Sequence, residues 1–382
     1  MGKISENESK TIDLLKLILA FMVVAIHCFS LYKYNNSVDV FYYDSNIYDF
    51  IRIFIVQCLC RLAVPTFFII SGFLFFYNFR KWECDKYKNK IKNRFQTLFV
   101  PYLFWNLISF FSIFGLEYLA ENGLNFDLLV SSLENFLVKH GFLRVLWDNN
   151  CVGLVGVENI LGYKVYSGGP INLPLWFMRD LLILSLLTPL ILFFLKKYSK
   201  LFLLIIGGLM VFNIWLPFTF ITPTGLFFYT LGGYLAFKNS IYLSLAAPAR
   251  LFLMLLNILL MIFVVITYNY NPLLYGILLK VFTIIGSLSI VNLVYYFVSK
   301  FKINNRFDYS PFSFFIFVTH YNIFLPISYI VINKLSPNRG EFDCILNFFI
   351  TIFLIILLSY IVWYFLCKTN NKYILSLIGK RR

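Results

Sequence analysis

Ile12-Asp13-Leu14-Leu15-Lys16-Leu17-Ile18-Leu19-Ala20-Phe21-Met22-Val23-Val24-Ala25-Ile26-His27-Cys28-Phe29-Ser30-Leu31 is an apolar run interrupted by an acid and a lysine near its start and a histidine near its end. An α-helix of about 20 residues crosses the ~30 Å hydrocarbon core of a bilayer, so this stretch reads as a membrane span. Polar residues precede it and no small-residue cleavage site follows, which makes it a retained helix rather than a signal peptide.

Runs of this kind recur along the chain. Spans are expected at 12–31, 50–79, 95–119, 173–195, 201–217, 222–237, 250–268, 272–298, 310–333 and 343–367. The 382 residues are 60% hydrophobic, 20% aromatic and 13% charged. A soluble protein carries about 25% charge to face water. Strand-period alternation is absent, which argues against a barrel. The expected fold is all-α: one polytopic integral membrane bundle of about ten transmembrane helices, filling residues 1–382 as a single domain.

The formal net charge is +15, and its distribution decides its meaning. With the N-terminus inside, 22 of the 33 basic residues fall on cytoplasmic segments and six on outer ones. That asymmetry is the positive-inside rule, so both termini are expected in the cytoplasm and the bilayer is the partner. Nucleic acid is not needed to explain the charge. Richness in Lys, Asn, Ile and Phe points to a bacterial cell membrane.

One outer segment, residues 120–172, is long and moderately apolar, with Leu128, Leu129, Val130, Phe136 and Leu137. Loops beyond about 15 residues are usually functional or disordered. The apolar content favours an ordered cap with short helices. The seven cysteines form no CxxC pair and no regular spacing, so neither a disulfide framework nor a metal cluster is expected.

Ionisable groups at membrane depth are costly, so each is a functional candidate. In the first span Asp13, Lys16, Ala20, Val24 and His27 share one helical face. Lys16 and His27 are three turns apart, about 16 Å at 1.5 Å per residue. Lys16 lies toward the cytoplasm and His27 in the outer half. The plainer reading makes Asp13 and Lys16 an i,i+3 pair and His27 a packing residue. Arg61 enters the second span from outside and needs an anionic partner or a polar cavity. Pro65 kinks that helix beyond it, and Ser71 and Gly72 permit close helix contact. Trp176 is an interfacial anchor in the plainer reading, while Arg179 and Asp180 lie further inside. His320 reaches mid-membrane, and Lys280 snorkels outward from a similar depth. His27, Arg61, Arg179, Asp180 and His320 therefore converge on a polar cavity.

On the other side, Arg80 to Arg94 is a dense basic loop. It anchors topology against anionic lipid, or binds a polyanionic soluble cofactor through Lys90 and Arg94, spaced i,i+4.

These residues resemble a known family. Thr11-Ile12-Asp13-Leu14-Leu15-Lys16 with His27 eleven residues after the lysine looks like the opening of the acyltransferase-3 family of membrane acyltransferases. Val64-Pro65-Thr66-Phe67-Phe68-Ile69-Ile70-Ser71-Gly72-Phe73 is similar to its second-helix signature. The resemblance continues through Arg94 to Pro101 and Trp105, then Leu175-Trp176-Phe177-Met178-Arg179-Asp180-Leu181, and ends at Ser313-Phe314-Phe315-Ile316-Phe317-Val318-Thr319-His320. It spans nearly the whole chain, in order. The family commonly moves acetyl from acetyl-CoA to hydroxyls of cell-envelope carbohydrates. Its first-helix motif usually begins with arginine, where this chain has Lys16, which keeps the charge but loses the bidentate fork.

The resemblance implies His27 as the catalytic histidine and Lys16, Lys90 and Arg94 as donor contacts, with Ser71 beside them. Acyl-CoA then docks from the cytoplasm, and His27 acts as general base on an acceptor hydroxyl arriving from outside. Arg61 or Arg179 stabilises the oxyanion, Trp176, Asp180 and His320 bind the acceptor, and Asp13 supports the site. A relay through an acyl-enzyme also satisfies the pattern, because donor and acceptor lie on opposite sides. The rival is a transporter or flippase of an envelope substrate; a sensory domain without turnover is a third reading.

Overall fold

The computed structural model describes residues 4–28, 47–77, 79, 83–123, 125–140, 147, 155–158, 164–167, 169–214, 221–242, 247–301, 309–336 and 340–380. Helix α1 runs Glu6–His27. Ser5 caps it: the Glu8 N–H donates to Ser5 Oγ at 3.3 Å, and the Ser5 hydroxyl donates to Glu8 Oε2 at 2.9 Å. The other Glu8 oxygen accepts the Ile241 N–H at 3.2 Å, tying the start of α1 to a distant turn.

The second expected span is α2 (Ile47–Arg52), a π-helical turn at Ile53–Cys58, a 3₁₀ turn at Leu59–Leu62 and α3 (Ala63–Phe76). The third is α4 (Cys84–Arg94), a π turn at Phe95–Phe99 and α5 (Val100–Asn122). Beyond the outer segment come α7 (Trp176–Leu186), α8 (Thr188–Val211), α9 (Pro223–Phe237), α10 (Ala247–Tyr270) and α11 (Pro272–Phe301). The chain then forms α12 (Tyr309–Thr319), a π turn at His320–Phe324, α13 (Leu325–Leu335), α14 (Glu341–Lys368) and the short α15 (Lys372–Leu377).

All ten expected segments are thus helical among the described residues, but fewer meet the length and composition of a simple span. Among the described residues six helices are long and apolar enough, or seven if α7 and α8, bent by 65°, count as one. α9 is short, at 15 residues. The last eighteen residues of α1 still hold Lys10, Asp13 and Lys16. The loop expected at Lys196–Lys200 is instead a kink inside α8, where Tyr198 leaves the helical region with φ −138° and ψ 38°.

The outer segment contains the expected short helix, α6 (Leu129–His140), whose Phe136 packs on Phe110 and Phe114 of α5 with ring centroids 5.1 and 5.4 Å apart. It also contains an antiparallel hairpin, β1 (Val155–Glu158) with β2 (Lys164–Ser167), which the sequence reading did not foresee.

α1 runs through the middle of the bundle, packed on α3, α11 and α12. Helices α3 and α9 approach most closely, because glycines face each other's backbone. A Cβ on Gly72 would collide with the Tyr229 carbonyl, and one on Gly232 with the Ile69 carbonyl. Small residues at such crossings allow backbone approach that larger ones forbid.

Candidate active site

His27 is the last residue of α1 and is half-buried. Its ring lies against His320 at 5.1 Å between centroids and against Tyr321 at 4.7 Å. His320 opens the π turn that follows α12 and is fully buried. Its Nδ1 lies 2.9 Å from the Ile316 carbonyl oxygen. A carbonyl can only accept, so Nδ1 carries the proton and Nε2 presents a lone pair in the neutral ring. That Nε2 is buried without a hydrogen-bond partner among the described residues. Of the five groups expected to converge on one cavity, His27 and His320 therefore lie in ring contact, and Tyr321 joins them.

Arg61 sits on the 3₁₀ turn before α3, and both its Nε, at 3.1 Å, and its Nη2 donate to Gln57 Oε1. No carboxylate is its ion-pair partner among the described residues, so a polar pocket rather than an anion holds it. Lys280 does not snorkel: its Nζ donates to Thr224 Oγ1 at 3.0 Å, bridging α11 to α9. The Tyr275 hydroxyl donates to the Gln57 carbonyl at 3.3 Å and closes this polar group.

Arg179 and Asp180 form a second centre at the start of α7. Both are buried, and Arg179 Nη2 lies 3.1 Å from Asp180 Oδ1. Arg179 Nη1 also donates to the Trp147 carbonyl at 2.8 Å, while Asp180 Oδ2 accepts the Thr222 N–H at 3.1 Å. The pair clamps the outer segment and the start of α9 onto α7. Trp176 packs on Phe68, centroids 6.2 Å apart. A chain of inclined rings, Phe177 against Phe317 at 5.7 Å and Phe317 against His320 at 6.3 Å, links this centre to the histidines.

The expected donor residues divide into two groups. Arg94 Nη2 donates to the Ser71 carbonyl at 3.2 Å and to Ser71 Oγ at 3.0 Å. Lys90 Nζ donates to the carbonyls of Phe75 and of Tyr77, the latter at 3.1 Å. Lys90 thus meets the orphan carbonyls and negative dipole at the C-terminal end of α3, while Arg94 binds Ser71 further back along the same helix. Lys16 lies elsewhere, donating to Ser310 Oγ at 2.9 Å beside Asp13 Oδ1 at 3.5 Å. The i,i+3 pair is therefore present, and Ser310 of α12 extends it.

Gln57, Tyr275, Thr224 and Tyr321 were missed in the sequence because neutral polar residues do not interrupt an apolar run as charges do. The only signal lay in their neighbours: Gln57 stands i,i−4 to Arg61, and Tyr321 follows His320. No three of His, Cys, Asp and Glu come together as metal ligands among the described residues.

Residues 9–364 match the family described as an acyltransferase domain. The chain is 26% identical over 199 residues to the succinoglycan biosynthesis protein ExoH of Rhizobium meliloti (strain 1021), which covers 52% of this chain and 46% of that protein. It is 30% identical over 140 residues to the serine/alanine racemase of Enterococcus gallinarum, 37% of this chain and 18% of that protein. It spans less than half the length of these curated relatives, and no solved structure matches it. With the family match running through α1, the histidine pair and α14, the chain belongs to the acyltransferase-3 family of membrane acyltransferases.

Proposed function

We propose that this membrane acyltransferase moves acetyl from cytoplasmic acetyl-CoA to a hydroxyl of an extracytoplasmic cell-envelope carbohydrate, with His27 as general base. The observation that carries the reading is the His27 ring, packed on His320 and Tyr321 at one end of α1 with Lys16 three turns away. A relative named for succinoglycan biosynthesis supports a carbohydrate acceptor.

In this mechanism the acceptor hydroxyl attacks the thioester carbonyl and its proton passes to His27. Arg61, oriented by Gln57, stabilises the oxyanion. Collapse breaks the C–S bond and expels coenzyme A, whose sulfur takes the proton back from His27. The His320 Nε2 lone pair and the Trp176–Asp180 segment serve the acceptor. Lys16, Lys90 and Arg94 give the donor side its positive charge, the last two while holding α3.

Coenzyme A release by purified protein supplied with acetyl-CoA and a hydroxylated envelope polysaccharide tests this. His27→Ala is expected to cut release by ~10²–10⁴-fold, the usual worth of a general base. Undiminished release removes His27 from the chemistry. Acceptor crossing the membrane with no coenzyme A freed favours a transporter.

A further inference from the structure

Helices α10 and α11 are joined by Asn271 alone, so they form a tight antiparallel hairpin. Only 11% of the apolar window of α10 is buried inside the protein, and Leu251, Phe252, Leu255, Ile258 and Ile262 are exposed along it. This hairpin therefore faces lipid. At its open end, between the start of α10 and the end of α11, lies a cavity of about 190 Å³ lined by Arg250, Leu253, Met254, Ser289, Asn292 and Tyr296.

Arg250 lines this cavity, and Lys300 reaches the ring of Tyr296 in its wall. The Arg250 guanidinium stands 5.2 Å from the Tyr296 ring centroid and the Lys300 ammonium 5.5 Å from the same centroid. Neither has a carboxylate partner among the described residues. Two turns deeper, about 10 Å by helical rise, Ser289 Oγ is buried with no hydrogen-bond partner among the described residues. Leu253 and Met254 supply the apolar wall. From mouth to floor the sequence is unneutralised positive charge, an orphan hydroxyl and hydrocarbon.

We propose that this groove is a site for one anionic phospholipid. The phosphate lies on Arg250 and Lys300, an ester carbonyl accepts the Ser289 hydroxyl, and the first methylenes run along Leu253 and Met254 into the bilayer. Charge complementarity carries the choice, together with the place of the two cations at the end of the hairpin that the positive-inside pattern assigns to the cytoplasmic leaflet, where anionic lipids concentrate. The space is smaller than the ~300–1,000 Å³ of pockets that enclose whole small ligands. It therefore suits part of a molecule whose remainder lies in the membrane, and not a nucleotide donor. The inference is independent of the acyl-transfer reading.

Native mass spectrometry of the delipidated full-length protein, titrated with phosphatidylglycerol and separately with phosphatidylcholine, tests it. One phosphatidylglycerol per chain is expected to bind in clear preference to phosphatidylcholine. Arg250→Gln and Lys300→Gln should each weaken phosphatidylglycerol binding about fivefold, and together about 25-fold, with phosphatidylcholine unaffected. Ser289→Ala should weaken both lipids alike. Lys372→Gln, remote on α15, should change nothing. Equal affinity of the unaltered protein for the two lipids overturns the proposal without reference to any variant. So does a double variant that keeps full phosphatidylglycerol affinity, or a Lys372→Gln loss as large as that of Arg250→Gln. Displacement of the lipid by acetyl-CoA, or by dimerisation, assigns the groove to another occupant.

Discussion

The atom that most sharpens the chemistry is His320 Nε2. His27 was legible in the sequence because an imidazole in an apolar run is conspicuous. The orientation of His320 was not, because it depends on which backbone carbonyl its Nδ1 meets, and that is the Ile316 oxygen. A buried acceptor left without a partner costs about 1–3 kcal/mol, so its retention calls for a use. His320→Phe keeps a ring of similar size and removes the lone pair. If Nε2 binds the acceptor, kcat/KM should fall about 5–30-fold, the equivalent of ~1–2 kcal/mol, while Tm holds or rises. A rise in Tm with unaltered kcat/KM makes the histidine a packing residue. Arg61 and Lys280 show the same limit of sequence reading. Their charges were visible, but the neutral groups that hold them, Gln57 and Thr224, were not.

Three prolines adjoin the π and 3₁₀ turns of the described helices. Proline lacks an N–H and its ring clashes with the carbonyl four residues back. Before Pro101, the Val100 N–H reaches back five residues to the Phe95 carbonyl; before Pro326, the Leu325 N–H does the same to His320. Pro65 follows the π and 3₁₀ turns that carry Arg61. Each irregular turn thus adjoins or contains a site residue, namely Arg61, Arg94 or His320, as π-bulges often do. The sequence reading placed a kink at Pro65, whereas the irregular turns lie before it, at residues 53–62. That the strain would be taken up as a widened turn, re-aiming His320 toward His27, was not foreseeable, because it depends on what α12 and α13 pack against. Pro326→Ala should restore regular helix and rotate the histidine away from its partner. The expected outcome is undiminished thermal stability with acyl transfer lowered by up to ~10²-fold, since about 1 Å of misplacement costs that much. Retained activity dissociates the turn from the site.

Over the whole molecule the sequence conveyed the order of the helical segments better than their number or shape. Apolar runs mark helices wherever they occur, but the 65° bend between α7 and α8 and the shortness of α9 follow from packing that no local pattern records. The hairpin of the outer segment was missed for a related reason: four-residue strands are too short for a clear alternation. Orientation rests on the basic residues, 22 of 33 on one side. Reporter fusions should be active as cytoplasmic enzymes when placed within 80–94 and as exported ones within 120–172; the reverse result inverts the topology. A last consequence concerns α1 itself. Lys16 and His27 are fixed on one unbroken helix, so under the proposed donor docking it would work as a ruler with a stop at each end. A ruler of that kind measures the arm that carries the reactive carbon and is blind to whatever hangs beyond it. On the same proposal, tolerance for longer acyl tails would be set by the room left around Tyr321, and the two selectivities could be changed separately.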